Sequence, residues 1–136
     1  DNYDNADGSS TTSTVFNSTD FPLFRLADTY LMLAECEKHG ASNCNGLARL
    51  NDVRNRAGLG SVTSYTLDDI LTERLRELYW EGHRRSDLVR FGKFAGNAYN
   101  WSWKGGVEAG AATQSYRNVC CIPAQYVPTL GQNPGY

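Results

Sequence analysis

Apolar side chains recur at steps of three and four residues from residue 21 onward, and this spacing predicts an amphipathic helix over residues 21–39. Asp20 can cap its start, and Pro22 suits the first helical turn, where a missing amide hydrogen costs nothing. Gly40 can end the helix in the left-handed conformation. The predicted buried face comprises Leu23, Leu26, Ala27, Tyr30, Leu31 and Ala34.

The same spacing predicts a second helix over residues 43–57, which Ser42 or Asn43 can cap and Gly58 can end. The link to the first helix is only about three residues long, so the two helices are expected to pack antiparallel. The predicted buried stripe of the second helix comprises Gly46, Leu50, Val53 and Ala57, with Leu47 beside it.

A third helix is predicted over residues 66–81, and a shorter helical segment over residues 84–91 follows Gly82. Thr66 and Asp69 have the spacing of a capping box, in which each side chain binds the backbone amide of the other residue. Tyr30 and Trp80 are expected to pack in the core or between helices. The other residues expected to face inward are Leu67, Ile70, Leu71, Leu75, Leu78, Tyr79, Leu88 and Phe91.

The remaining segments have neither helical nor strand periodicity. Residues 1–20 are rich in Ser, Thr, Asn, Asp and Gly, which predicts a polar loop or a disordered segment. Residues 95–118 are an irregular, aromatic-rich loop, and residues 119–136 hold three of the four prolines and are typical of an extended strap.

The expected organisation is an all-α scaffold over residues 21–94, built from tetratricopeptide-like helical hairpins in an α/α superhelix. The irregular loop and the strap over residues 95–136 follow it. Two helical hairpins bury little core by themselves, so the chain is expected to be a fragment of a longer parent protein.

Charge and composition argue against several classes of function. The net charge of −2 provides no global basic field for nucleic acid. No run of about 18 apolar residues is present to span a membrane. The histidines are His39 and His83 alone and no CxxC spacing occurs, which argues against a zinc site, and no motif indicates another metal or a cofactor. Cys36 and Cys44 flank the first turn between helices, which leaves open either a disulfide or two unpaired thiols.

The densest run of charged residues raises the question of catalysis. Glu73 and Glu77 lie four residues apart, so both carboxylates share one face of the third helix. A pair of acids could serve a glycosidase, but arginines in the neighbouring turns would keep both ionised. Arg74, Glu77 and Glu81 are expected to pair along the helix. We interpret the run as a non-catalytic charge network that joins the third helix to the next, with the members Glu73, Arg76, Glu77, Glu81, Arg84, Arg85, Asp87 and Arg90.

Charged residues of the first two helices are expected at the surface. Arg25, Asp28 and Glu35 are interpreted as solvated or salt-bridged. A basic stripe on the second helix favours a solvated face over a partner surface, and it comprises Arg49, Arg54 and Arg56.

Three aromatic residues in the irregular loop are candidates for carbohydrate binding. Tyr99, Trp101 and Trp103 follow at two-residue steps, which would place them on one side of an extended segment. Flat aromatic rings can stack on the apolar faces of sugars, and Lys104 and nearby asparagines could supply hydrogen bonds. The alternative is that the three rings pack over the helices, as large aromatics usually do.

Four blocks of the sequence, in this order, resemble the C-terminal region of the SusD/RagB family. They are FPLFRLADTYLMLAE at 21–35, LNDVRNRAGL at 50–59, LTERLRELYWEGHRRSDLVRFGKF at 71–94 and IPAQYVPTLGQNPGY at 122–136. The resemblance implies a helical protein that does no bond-breaking chemistry, and therefore not an enzyme.

The resemblance further implies a nutrient-binding lipoprotein at the outer membrane and cell surface of Gram-negative bacteria, with its lipid anchor on the parent protein and outside this chain. Such proteins capture oligosaccharides and cap a TonB-dependent transporter of the SusC type. The expected partners are therefore a glycan and a SusC-like transporter, with no nucleic acid. The alternative function is a tetratricopeptide-like protein-interaction scaffold with no sugar role of its own.

Overall fold

The computed structural model describes residues 22–136, and this part of the chain is all-α, as predicted. Its helices are α1 (Leu26–Lys38), α2 (Gly46–Arg56), α3 (Leu67–Glu77), α4 (Arg84–Arg90) and a short α5 (Val127–Leu130). Two 3-10 turns, Lys104–Gly106 and Ser115–Asn118, lie between α4 and α5. No strand occurs in these residues, only one isolated antiparallel bridge between Gly96 and Thr113. No helix of this region combines the length and the apolar character that a membrane span requires.

Helix α1 begins at Leu26, five residues later than the spacing predicted. Arg25 precedes it with extended backbone angles, φ −144° and ψ 157°. Because Leu23 therefore lies before the helix and Leu26 in its first turn, their side chains are 72% and 63% exposed, and their predicted place on the buried face is wrong. Gly40 follows the helix with a φ of +92°, as predicted for its end. The predicted cap at Asp20 and the polar segment 1–20 lie outside the described residues.

The apolar core forms where α1, α2 and α3 meet. Its buried members are Leu31, Ala34, Leu50, Val53, Tyr65 and Ile70, with Ala27, Tyr30, Leu47, Val62 and Leu67 packed against them. Most of these residues lie on the stripes predicted from the sequence. Ala57 is exposed, contrary to prediction, because α2 ends at Arg56.

A carboxylate from α1 caps α2, in place of the predicted Ser42 or Asn43. The Glu37 side chain accepts a hydrogen bond of 2.6 Å from the backbone amide of Gly46, the first residue of α2. Its other oxygen lies 2.7 Å from the hydroxyl of Tyr65. The bond from Tyr65 and the bond from Gly46 hold the pKa of Glu37 below its usual value. Helices α1 and α2 are therefore joined by polar contacts as well as by apolar packing.

Helix α3 begins with the predicted capping box. The Thr66 hydroxyl accepts from the Asp69 amide at 3.2 Å, and the Asp69 carboxylate accepts from the Thr66 amide at 2.8 Å. The helix ends at Glu77, four residues earlier than predicted. Tyr79 and Trp80 therefore leave the helical face and are 68% and 86% exposed, so the packing predicted for them is wrong.

The structure decides between the two states left open for Cys36 and Cys44, and it corrects the prediction for the C-terminal segment. Cys36 and Cys44 both carry free thiols, so the disulfide weighed for this pair is not formed. Their turn is closed instead by backbone bonds such as Ala41 N to Cys36 O, 3.0 Å long. The segment predicted as an extended strap contains the helix α5. The tetratricopeptide-like stacking and the division of the chain at residue 94 stay predictions.

Candidate functional site

A buried arginine lies at the centre of the charged motif. Arg74 is 5% exposed, and its guanidinium donates to Asp28 of α1 at 2.7 Å and to Asp87 of α4 at 2.8 Å. The predicted pairing of Arg74 with Glu77 and Glu81 is wrong, because its side chain points towards α1 and α4. Asp28, expected at the surface, is 5% exposed. The arginine thus joins three helices.

A second arginine extends this network along α1 and α4. Arg90 donates to Asp87 at 3.0 Å and to one oxygen of Glu35. The bond to Glu35 is the largest of the effects that raise the pKa of Arg90. Glu35 is 9% exposed, contrary to the expected surface position, and its second carboxylate oxygen has no hydrogen-bond partner among the described residues.

The two glutamates considered for catalysis each face two arginines. Glu73 lies 2.9 Å from Arg54 and 3.6 Å from Arg76. Glu77 lies 2.6 Å from Arg56 and 2.5 Å from Arg25. Glycosidase chemistry needs two carboxyl groups that flank the scissile bond of a bound sugar, whereas Glu73 and Glu77 are bound by arginines of α2. The geometry of both carboxylates suits ion pairing between helices.

Arg25 closes the network at the end of α3. Its guanidinium donates to both oxygens of Glu81 at 2.7 Å, and also to the backbone carbonyl of Glu77. The hydrogen bond to Glu81 is the main cause that raises the pKa of Arg25. The chain segment before α1 is thereby fixed to the turn after α3.

Two arginines of the motif reach beyond the helices into the loop. Arg84 donates to the Tyr99 hydroxyl at 2.9 Å and to the Leu71 carbonyl at 3.2 Å. Arg85 lies over the Phe94 ring, 4.8 Å from its centroid. It also donates to the backbone carbonyls of Arg117 and Asn118, at 3.0 and 3.3 Å. The motif therefore positions the aromatic loop as well as the helices.

The aromatic loop turns sharply, so the extended geometry predicted for it is wrong. Trp103 has a left-handed backbone with a φ of +69°, and its carbonyl accepts from the Gly106 amide at 3.0 Å. Trp101 and Tyr99 are half-buried, with ring centroids 5.9 Å apart, and Trp101 also lies 6.1 Å from Phe94. Trp103 is 66% exposed. The three rings do not form one flat row.

Two of the three predicted aromatics nevertheless line an open cavity of about 460 Å³, here called the tryptophan cavity. Trp101 and Trp103 contribute rings, whereas Tyr99 lies outside the lining and is bound by Arg84. The other lining residues come from distant parts of the chain: Arg85, Phe94, Lys104, Gly105, Thr113, Arg117, Cys120, Cys121 and Tyr136. Among these residues, the sequence suggested only Lys104 as a sugar-binding group, because no local spacing connects the others to the tryptophans.

Some polar groups in and near the tryptophan cavity are hydrogen-bonded within the protein, and others are not. The Lys104 ammonium, expected to be available to a sugar, donates instead to the Gly96 and Tyr99 carbonyls at 2.8 and 2.5 Å, and Lys104 is 2% exposed. The Thr113 hydroxyl is buried and has no hydrogen-bond partner among residues 22–136. Asn97 and Asn100 bind each other at 2.8 Å. Cys120 and Cys121, which also line the cavity, carry free thiols and are exposed.

A second cavity, of about 580 Å³, lies between α1 and α4. Met32, His39 and His83 contribute to its wall, but most of its charged groups belong to the network around Arg74 and Arg90. Within the described residues, no group of three or more His, Cys, Asp or Glu side chains is arranged to hold a metal ion.

Comparison with known proteins identifies the relatives of the chain. A model of the SusD family matches residues 2–136, in agreement with the resemblance in the sequence. The starch-binding protein SusD of Bacteroides thetaiotaomicron is 40% identical over 135 residues, which cover 96% of this chain and 24% of that protein. The chain thus spans about a quarter of that relative.

Two further relatives are shorter matches. A SusD-like protein P25 of Formosa agariphila is 41% identical over 87 residues, 57% of this chain and 16% of the relative. A SusD-like protein of Bacteroides ovatus is 36% identical over 90 residues, 61% of this chain and 16% of the relative.

Proposed function

The chain belongs to the SusD family, and on that premise we propose that it is the C-terminal part of a glycan-binding lipoprotein of the cell surface. The parent protein captures oligosaccharides at the outer membrane and caps a TonB-dependent transporter of the SusC type. It performs no bond-breaking chemistry. The observation that carries the proposal is the 40% identity, over almost the whole chain, to a protein named for binding starch.

The tryptophan cavity is the part of this chain best suited to a sugar. Trp103 exposes two thirds of its surface, and Trp101 forms a second indole wall. Pyranose rings present apolar C–H faces that release water when they stack on an indole, and a few polar groups then fix the orientation. Arg85 and Arg117 in the lining provide such groups.

The transporter contact is supported by apolar residues at one end of the helices. Phe24, Tyr79 and Trp80 are 84%, 68% and 86% exposed. The contact of Arg25 with Glu81 brings the segment before α1 close to the turn after α3. Large exposed apolar residues that gather in this way are typical of a protein interface.

The same residues favour the alternative function, a tetratricopeptide-like interaction scaffold with no sugar role of its own. The two functions differ in the partner that they require. A pull-down that retrieves a protein other than an outer-membrane transporter supports the scaffold, and one that retrieves a SusC-like transporter supports the lipoprotein.

Calorimetric titration of the chain with neutral maltooligosaccharides and a panel of other oligosaccharides tests the glycan-binding proposal. We expect saturable binding of at least one oligosaccharide. We also expect no shorter sugars in the calorimeter's sample cell after the titration. Absence of binding across the panel contradicts a sugar role for this chain, and release of shorter sugars contradicts the non-enzymatic assignment.

A further inference from the structure

The tryptophan cavity is lined by positive side chains, although the net charge of the chain is −2. Among residues 22–136, its lining includes Arg85, Lys104 and Arg117 but no Asp or Glu side chain. Residues 94–136 contain a single acidic residue, Glu108, which does not line the cavity. A neutral sugar requires no such excess of positive charge.

Lys104 is a buried cation with no carboxylate partner in the part of the chain that the structure describes. Its ammonium is bound by the carbonyls of Gly96 and Tyr99 and lies 4.9 Å from the centre of the Trp101 ring. Among residues 22–136 no Asp or Glu oxygen lies within 4.0 Å of it. Buried charges are usually paired, because removing them from water is costly. An anion in the cavity would supply the missing countercharge.

Both arginines have guanidinium donors that make no hydrogen bond within the described part of the chain. Arg85 is fixed over Phe94 and donates through one terminal nitrogen to the carbonyls of Arg117 and Asn118. The other nitrogens of its guanidinium make no hydrogen bond among the described residues. Arg117 is exposed and its guanidinium lies 5.6 Å from the centroid of the Tyr116 ring; its side chain makes no hydrogen bond or ion pair among residues 22–136. Guanidinium donors of this kind match the paired oxygens of carboxylates and sulfate esters.

We propose that the tryptophan cavity selects oligosaccharides that carry a carboxylate or a sulfate ester over neutral ones of the same length. This inference rests on the proposed glycan-binding function. The indoles of Trp101 and Trp103 stack on the sugar rings, while Arg85 and Arg117 bind the anionic group and Lys104 provides the buried positive charge.

Competitive calorimetry with four probes tests the selection. The probes are an oligogalacturonate, a sulfated maltooligosaccharide, the neutral maltooligosaccharide of equal length and inorganic sulfate. We expect one of the anionic sugars to bind about tenfold more tightly than the neutral one at low salt, a difference of about 1.4 kcal/mol. The preference should shrink as ionic strength rises, because the cavity is open to solvent. The oligogalacturonate and the sulfated probe distinguish the two sources of negative charge.

A pair of variants with the same change in net charge locates the effect. Arg117→Gln should reduce the preference for the anionic sugar to near unity, because it removes a guanidinium that lines the cavity. Arg76→Gln, on the outer surface of α3, should leave the preference unchanged. An equal effect of the two substitutions contradicts the proposed position of the anion.

Protection of cysteine thiols from alkylation tests the position of the ligand on the unsubstituted chain. Cys120 and Cys121 are free, exposed thiols that line the cavity, whereas Cys36 and Cys44 lie on and beside α1. Trypsin cleaves after Lys38, Arg49 and Arg117, and it therefore places Cys36, Cys44 and the Cys120–Cys121 pair on three different peptides. An anionic sugar should slow alkylation of Cys120 and Cys121 by iodoacetamide and leave the other two rates unchanged.

The outcomes separate this inference from the function on which it rests. Equal or tighter binding of the neutral sugar overturns the charge selection and leaves glycan binding intact. Binding of inorganic sulfate as tight as that of the sulfated sugar overturns recognition of a sugar anion. Failure of every sugar in the panel to bind overturns both proposals.

Discussion

At the scale of single residues, Arg74 shows how the charged motif works. Its guanidinium is buried between Asp28 and Asp87, which belong to different helices. Both aspartates are buried, with 5% and 3% of the residue surface exposed, so water cannot replace the arginine as a partner. Removal of one member of a buried ion pair leaves an uncompensated charge behind, which costs more than the pair itself contributes.

Substitution of Arg74 by Met is expected to destabilise the chain severely. Two buried carboxylates would lose their countercharge, which corresponds to a loss of about 3–5 kcal/mol in the free energy of unfolding. Urea unfolding followed by circular dichroism measures this loss.

Arg76→Met is the matched control, because Arg76 lies two residues away with a side chain that is 58% exposed and 3.6 Å from Glu73. Its loss should be about 1 kcal/mol or less. Equal losses in the two variants would show that the buried network adds nothing to stability.

Residue pairs that are close in sequence were the ones that the sequence could predict. The capping box of Thr66 and Asp69 spans three residues and depends only on local helix geometry. The partners of Arg74 lie 46 and 13 residues away, and they depend on how three helices pack. Local spacing instead suggested Glu77 and Glu81, which pair with Arg25.

At the scale of elements, the close approach of α1 and α2 depends on Gly46. A Cβ atom at this position would lie 2.8 Å from the Ala34 Cα and 2.3 Å from the Tyr65 hydroxyl oxygen. Both distances are shorter than a van der Waals contact, and the Ala34 atom belongs to the backbone of α1. The helices can pack at this distance only when residue 46 has no side chain.

Gly46→Ala is therefore expected to destabilise the chain, although alanine favours helices by about 0.5–1 kcal/mol over glycine. The added methyl group must push α2 away from α1, and overpacking of this kind costs about 1–3 kcal/mol. Urea unfolding is the measurement. Gly60→Ala is the control, since nothing lies within 4 Å of a Cβ there, and it should be neutral or slightly stabilising. A stabilised Gly46→Ala variant would contradict the close packing.

The helices themselves were predictable from apolar spacing, and their ends were not. Interiors follow a period that the core imposes, so α1, α2 and α3 appear where the sequence indicated. Ends depend on tertiary contacts: Arg25 holds the segment before α1 against the turn after α3, and Glu37 caps α2 from another helix. Neither contact has a signature in the local sequence.

At the scale of the whole molecule, the charged motif has a structural role, and the aromatic loop forms the candidate binding site. The arginines and glutamates join α1, α3 and α4 and fix the aromatic loop through Arg84 and Arg85. The loop then places two indoles at an open cavity. The sequence suggested Trp101 and Trp103 as sugar-binding candidates. The cavity that they line also includes residues between 85 and 136 that only the folded chain brings together.

The most direct test of this account is a calorimetric comparison of two tryptophan variants, with the tightest-binding oligosaccharide of the panel as the probe. Both side chains are exposed, Trp103 by 66% and Trp80 by 86%, so neither substitution by alanine should disturb the core. Trp103→Ala is predicted to weaken binding about tenfold, a difference of about 1.4 kcal/mol, while Trp80→Ala leaves the affinity unchanged. Unchanged affinity in Trp103→Ala, or an equal loss in Trp80→Ala, would contradict the assignment of the tryptophan cavity as the glycan site.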